Sequence, residues 1–120
     1  ISAVPDEQTS ELARDGAAIG KSVSLDRLTA FPEADYKRAQ ILSFEGKALI
    51  QLAFLTSAGE PLALCIIRSD GMASEAPAVS EMEGMQSAHW SDGTYEYLLI
   101  GGSDDALIRR MSSGFASTGI

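Results

Sequence analysis

Short apolar runs separated by glycine-containing turns fill the sequence between Ala39 and Gly101, and this pattern constrains the fold most strongly. Within Lys47–Ser57, alternate apolar side chains share one face, as the two-residue period of a strand requires. Glu45-Gly46 and Ala58-Gly59 flank this run, and glycine supplies the positive φ of a tight hairpin. We therefore expect antiparallel strands at 39–45, 47–57 and 61–67.

The third of these runs, Pro61–Ile67, is apolar on both faces, which is typical of a strand in mid-sheet or covered on both sides. A second hairpin is predicted from Met85–Trp90 and Thr94–Gly101, which flank an Asp-Gly turn at Ser91-Asp92-Gly93. Residues 69–84 show neither period and are interpreted as a long mobile loop. The prediction is an antiparallel sheet of about five strands in two hairpin groups.

Helical signals lie at the two ends of the chain. Residues 6–22 carry a weak apolar stripe interrupted by glycine, so we expect a frayed or docked helix, followed by a short turn at Ser24–Arg27. At the other end, Ser103 resembles an N-cap with Asp104 and Asp105 in the first turn. An amphipathic helix follows, with four apolar residues at helical spacing: Leu107, Ile108, Met111 and Phe115.

These elements predict an α+β fold in which the C-terminal helix packs on one face of the sheet. Residues 1–35 are assigned to an N-terminal helical or linker segment, and residues 36–120 to the sheet and C-terminal helix of a single domain. A chain of 120 residues is long enough for one hydrophobic core.

Charge excludes some classes of partner. The net charge is −8, and no Lys or Arg lies between Arg68 and Arg109. Nucleic acids and anionic membrane surfaces are bound mainly through basic residues, so the sequence predicts neither partner. The longest apolar run, Pro61–Ile67, is also far below the ~20 residues of a membrane-spanning helix.

Two side chains are candidates for catalysis, Cys65 and His89. Cys65 is the single cysteine and lies in an apolar strand, so we expect a buried, inert thiol. The alternative is a nucleophile with His89 as its base, which requires adjacent strands and an open site. Since His89 and Trp90 point to opposite faces of one strand, we expect Trp90 inside and His89 partly exposed.

A ligand or partner face is the remaining candidate site. Tyr95 and Tyr97 share one strand face with Leu99, and such residues either pack on a sheet or line a groove; without a basic rim, packing is favoured. The candidate face comprises Tyr95, Tyr97 and His89. Carboxylate pairs such as Glu81/Glu83 lack the spacing of a calcium loop. We assign no catalytic, cofactor or metal-binding residue.

The segment from Tyr36 to Phe115 resembles the extracytoplasmic domain of bacterial transmembrane anti-sigma factors. The likeness lies in a series of local patterns in one order. These are Ser43-Phe44-Glu45-Gly46-Lys47-Ala48, Gln51-Leu52-Ala53-Phe54 and Ala58 to Ile66, then Gly84-Met85 to Trp90 running into a glycine turn and Tyr95-Glu96-Tyr97-Leu98-Leu99-Ile100-Gly101.

The resemblance implies a regulatory domain that is not an enzyme, on the periplasmic side of the inner membrane. In that family a cytoplasmic segment holds the sigma factor and one helix spans the membrane. Both would precede Ile1, and Ile1–Pro5 would be the stub beyond the membrane helix. A sigma factor would then be a partner only through the absent segment, and a periplasmic protease or sensor protein is a further candidate partner.

Three alternatives stay open. A ligand-sensing domain would use an open sheet face around Tyr95 and Tyr97, and a cysteine-dependent enzyme would use Cys65 and His89. A protein-interaction domain of another pathway, including one that forms a homo-oligomer, is the third.

Overall fold

The structure, a computed structural model, describes residues 5–120. The expectation for the stub before Pro5 therefore lies outside the described residues. Residues 5–120 contain three helices and six strands, in the order α1 (Pro5–Ala18), α2 (Leu25–Leu28), β1 (Ala34–Phe44), β2 (Lys47–Thr56), β3 (Pro61–Arg68), β4 (Ala78–Met82), β5 (Met85–Ser91), β6 (Tyr95–Ile100) and α3 (Asp105–Thr118). Within residues 5–120, no helix has the length and apolar character to cross a membrane.

The strands form one antiparallel sheet in the order β1-β2-β3-β6-β5-β4. The α+β class and both predicted hairpin groups are confirmed, and Pro61 opens β3, which lies in mid-sheet. The first strand starts at Ala34, five residues before the predicted start at Ala39. Tyr36 and Arg38 flank a β-bulge in it, so the simple alternation fails there.

The prediction of a long loop over residues 69–84 is wrong in its second half. β4 pairs with β5 and makes a sixth strand. A Glu83-Gly84 turn joins the two strands, with φ of 51° and 82°, almost the geometry of Glu45-Gly46 at 51° and 79°. Since β4 lies at the edge and is largely exposed, its sequence needs no apolar alternation, and the strand is invisible to that criterion.

Both long helices lie on one face of the sheet, which we call the helix-covered face. α1 packs on β1 and β2, and α3 packs on β5 and β6. The core between the layers contains alternate residues of every central strand, including Ile50, Leu64, Ile66 and Leu99. Trp90 is only 3% exposed, so its predicted inward orientation is confirmed.

The C-terminal helix is capped one residue later than the sequence suggested. The Asp104 carboxylate accepts a hydrogen bond from the Leu107 backbone N–H at 3.0 Å, which makes Asp104 the N-cap. The hydroxyl of Ser103 instead donates to the Glu60 carboxylate. The four predicted apolar residues of α3 are all buried.

The N-terminal helix is docked mainly through polar groups. Leu12, 1% exposed, is its one large buried apolar residue, and two smaller apolar residues of the helix, Ala13 and Ala17, are exposed. Gln8 donates to the backbone carbonyls of Tyr36 and Lys37 in β1. Glu11 accepts from the Ala39 N–H at 2.6 Å. The side chains of α1 thus satisfy backbone groups of the edge strand at its bulge.

Candidate functional site

The face of the sheet opposite the helices carries apolar side chains in all six strands, and we call it the open face. Its strand positions follow from the pairing register. The apolar members are Leu42, Phe44, Leu49, Ala53, Leu55, Ala63, Cys65, Ile67, Met82, Met85, Leu98 and Ile100. Phe44 is 54% exposed, and Leu42, Leu55, Met82 and Met85 are exposed as well.

This surface exists because β2 and β3 are apolar on both faces, as central strands that are covered on both sides usually are. In residues 5–120 the helices cover only one of the two faces. Soluble monomers rarely expose a contiguous apolar patch of more than a few hundred Å² unless it has a function. The open face is therefore the candidate interaction site.

A groove of about 270 Å³ crosses the open face from β1 to β5, toward one end of the strands. It is lined mostly by apolar groups, with one acid–base pair at its side: Phe44, Leu49, Cys65, Ile67, His89, Glu96, Tyr97 and Leu98. Nε2 of His89 lies 3.4 Å from the Glu96 carboxylate. His89 is exposed, as its alternation with Trp90 predicted.

Cys65 lies on the open face and is half-buried, so the expectation of a fully buried thiol is wrong. Burial raises the pKa of the Cys65 thiol, and its interaction with Gln51 offsets part of this shift. The thiol is then mostly protonated at neutral pH, which makes it a weak nucleophile.

Cys65 and His89 are not hydrogen-bonding neighbours. Both are paired to Leu98, one from each side, so a whole strand separates them. Two strand spacings amount to about 10 Å, beyond the reach of a thiol–imidazole hydrogen bond. The open site required for a cysteine nucleophile is present, but the adjacent strands are not.

The two predicted tyrosines lie on the helix-covered face, away from His89. The Tyr95 hydroxyl donates to the Ile19 and Gly20 carbonyls at the end of α1. Tyr97 is paired with Trp90 across the strands and donates its hydroxyl to Asp92. The structure therefore places Tyr95 and Tyr97 on the helix-covered face and His89 on the open face. The groove next to His89 lies around Leu98.

Basic side chains that the sequence did not single out surround these tyrosines. Nζ of Lys21 lies 5.1 Å from the Tyr95 ring centroid and 5.8 Å from that of Tyr97, and the Arg68 guanidinium lies 5.9 Å from Tyr95. Such contacts hold the segment after α1 against the sheet. No local pattern in the sequence indicates these contacts, because Lys21 and Arg68 lie far from the two tyrosines along the chain.

A second cavity, of about 300 Å³, lies at one end of the helix-covered face. The loop before β4 and the end of α3 form its walls, and Trp90, Asp92 and Tyr97 line its floor. Aromatic faces beside two carboxylates, Glu75 and Asp92, are a suitable lining for a small cationic or polar ligand. Tyr97 thus reaches a cavity, although not on the face that was expected.

Among residues 5–120, no cluster of three or more His, Cys, Asp or Glu side chains is suitable for a metal ion. Comparisons of the chain with models of protein families, with curated proteins and with solved structures gave no significant match. The candidate site therefore rests on its own geometry.

Proposed function

We propose that the chain is the regulatory outer domain of a membrane-anchored anti-sigma factor, and that it controls release of the sigma factor in response to an extracytoplasmic signal. The proposal begins from the ordered patterns between Tyr36 and Phe115 that resemble this family. It carries with it a periplasmic location, a sigma factor bound only by a separate cytoplasmic segment, and a non-catalytic role.

The observation that carries the proposal is the packing of the most specific pattern, Gly84 to Gly101. Its two strands form one hairpin, Trp90 and Tyr97 stack across it, and Asp92 in the turn accepts from the backbone N–H groups of Thr94 and Tyr95. The residues that define the pattern are thus those that this hairpin requires. This packing supports treating the pattern as one structural unit, and the proposal of a family relationship builds on it.

The docking of α1 supports a regulatory role. An anchor that precedes the domain would enter it through this helix, which is held by one large apolar side chain and by polar contacts. The buried oxygens Oδ2 of Asp15 and Oη of Tyr36 have no hydrogen-bond partner among residues 5–120, and each such group costs about 1–3 kcal/mol. A helix held in this way detaches more easily than the sheet unfolds, and its release would expose backbone at the bulge of β1 to a protease.

The test is a pair of measurements in bacteria on the full-length gene product. Alkaline phosphatase fused after Ile120 is active only outside the cytoplasm, so high activity is expected. Deletion of residues 5–120 should change the response of a sigma-dependent reporter to envelope stress, whereas the isolated chain should not retain a sigma factor in a pull-down. An inactive fusion, or tight salt-resistant binding by the isolated chain, contradicts the proposal.

A small-ligand sensor is the second candidate, and the cavity beside Trp90, Asp92 and Tyr97 favours it. A ligand there would change the intrinsic fluorescence of Trp90, the one tryptophan of the chain. Titration of small amines and metabolite mixtures against that signal separates the two candidates. Saturable quenching that Asp92→Asn abolishes supports a sensor.

A further inference from the structure

We propose that the open face is the interface of a homodimer in which two copies of this chain pack sheet against sheet. The inference goes beyond the proposed function and does not depend on it, because it rests only on the area, shape and charge of this surface.

The area of the open face matches that of a stable interface. Each strand position occupies about 4.8 Å by 6.7 Å of a sheet face, so its roughly 20 positions cover about 650 Å² in projection. The accessible area is larger, because the side chains stand above the sheet. A specific interface of standard size buries about 800 Å² per partner. The open face alone therefore supplies one complete side of such an interface.

The shape of the surface favours a second sheet as its occupant. The open face is the surface of a six-stranded sheet, and its groove of about 270 Å³ is smaller than the roughly 300–1,000 Å³ of typical ligand pockets. Two sheets pack face to face at about 10 Å when both present apolar side chains, and this is a common way to bury such a face. A copy of the chain presents that complementary surface.

The distribution of charge selects a second copy over a lipid surface. Of the 17 acidic residues of the chain, only Asp35 and Glu96 occupy open-face strand positions. Asp35 forms an ion pair with Lys37 at 2.6 Å, and Glu96 lies 3.4 Å from the imidazole of His89. Two copies with a charge of −8 can therefore meet here with few acidic residues against each other. An anionic membrane is bound mainly through clusters of Lys and Arg, and β4, β5 and β6 contain neither residue.

Sedimentation of the purified chain between about 10 nM and 100 μM is the first test, since interfaces of this size have dissociation constants of about 1 μM or lower. We expect a species of twice the 12.7 kDa monomer mass. Phe44→Glu and Leu55→Glu change exposed open-face residues and should each weaken association at least about tenfold. The matched control is Met72→Glu, at a residue 91% exposed outside the sheet, which should leave association unchanged.

Alkylation of Cys65 is a second, independent measurement of dimerisation, because this residue lies on the open face. Its rate of alkylation should fall as the concentration of the chain rises, and Phe44→Glu should remove that dependence. A monomer throughout the concentration range, or a dimer that both open-face variants leave intact, overturns the proposal. Binding to anionic vesicles that Phe44→Glu abolishes would overturn it in favour of a membrane, and circular dichroism of each variant verifies that the sheet remains folded.

Discussion

Trp90 stacks on Tyr97 across the β5–β6 hairpin, with ring centroids 5.1 Å apart and planes 7° from parallel. Each ring lies beneath the helices, so the stack joins the hairpin to the core. Aromatic pairs of this kind stabilise by about 0.5–1.5 kcal/mol beyond the burial of their area.

Replacement of Trp90 by Ala should lower the free energy of unfolding by roughly 3–5 kcal/mol, because it removes a large buried ring and leaves a cavity. Urea denaturation followed by circular dichroism measures this loss. Met72→Ala, at a highly exposed loop residue, is the control and should change stability by less than about 0.5 kcal/mol. A Trp90→Ala midpoint equal to that of the wild type would mean that the core does not depend on this ring.

Asp92 should make the fold sensitive to acid. Burial raises the pKa of Asp92, but the hydrogen bonds from Tyr97, Tyr95 and Thr94 and the charge of Lys21 lower it, and the lowering prevails. Because the folded pKa lies below the unfolded value of about 3.9, this contribution to stability is present above that pH and is lost as the pH falls through the folded pKa.

Asp92→Asn should therefore lower stability at pH 7 and reduce the difference in stability between pH 7 and pH 3. Tyr97→Phe should act in the same direction, since it removes one of the hydrogen bonds to the carboxylate. Asp70→Asn, in the exposed loop, is the control. Thermal melting at the two pH values measures the effect, and an unchanged acid sensitivity in Asp92→Asn would contradict the assignment.

Proteolysis should begin between residues 69 and 77 and spare β4. Residues 71–76 are exposed and lie outside every helix and strand, whereas β4 is paired along its length with β5. A Glu-specific protease offers an internal comparison: Glu75 lies in the loop and Glu81 in β4. Mass spectrometry of the first fragments should show cleavage after Glu75 well before cleavage after Glu81. The reverse order would mean that β4 is unpaired in solution.

Capping of α3 should depend on Asp104 and not on Ser103. Asp104→Ala removes the side-chain acceptor for the Leu107 N–H and should cost about 1 kcal/mol. Ser103→Ala removes an exposed hydrogen bond to Glu60 and should cost less than half of that. Chemical denaturation of the two variants compares them directly, and an equal loss would return the cap to Ser103.

Much of the sheet was predictable because its turns have a chemical requirement. Glu45-Gly46 and Ser91-Asp92-Gly93 mark hairpins through the positive φ that glycine tolerates. Glu83-Gly84 carries the same signal as Glu45-Gly46, but β4 was missed because an exposed edge strand has no apolar face to reveal it. The glycine turn was a local signal for a hairpin, but the lack of periodicity in residues 69–84 led to the prediction of a loop.

The candidate site was less predictable, because a period of two identifies two faces without saying which one the helices cover. The pairing of Trp90 with Tyr97 could have indicated that Tyr97 points inward with Trp90, away from His89. The position of Cys65 opposite Leu98 depends on which strands are neighbours. The order β3-β6-β5 joins residues distant in the chain, and no local pattern determines it.

The two outer strands of the sheet are unequal. In β1, backbone groups at the bulge are already bonded to Gln8 and Glu11 of α1, whereas β4 has no neighbour on its outer side among the described residues. A fibril that grows by strand addition needs two unpaired edge strands in each molecule, because one edge pairs with the previous molecule and the other with the next. Because α1 occupies part of the β1 edge, that edge offers a shorter template to a newcomer than the whole strand would, and the folded protein is a poorer seed for fibrils.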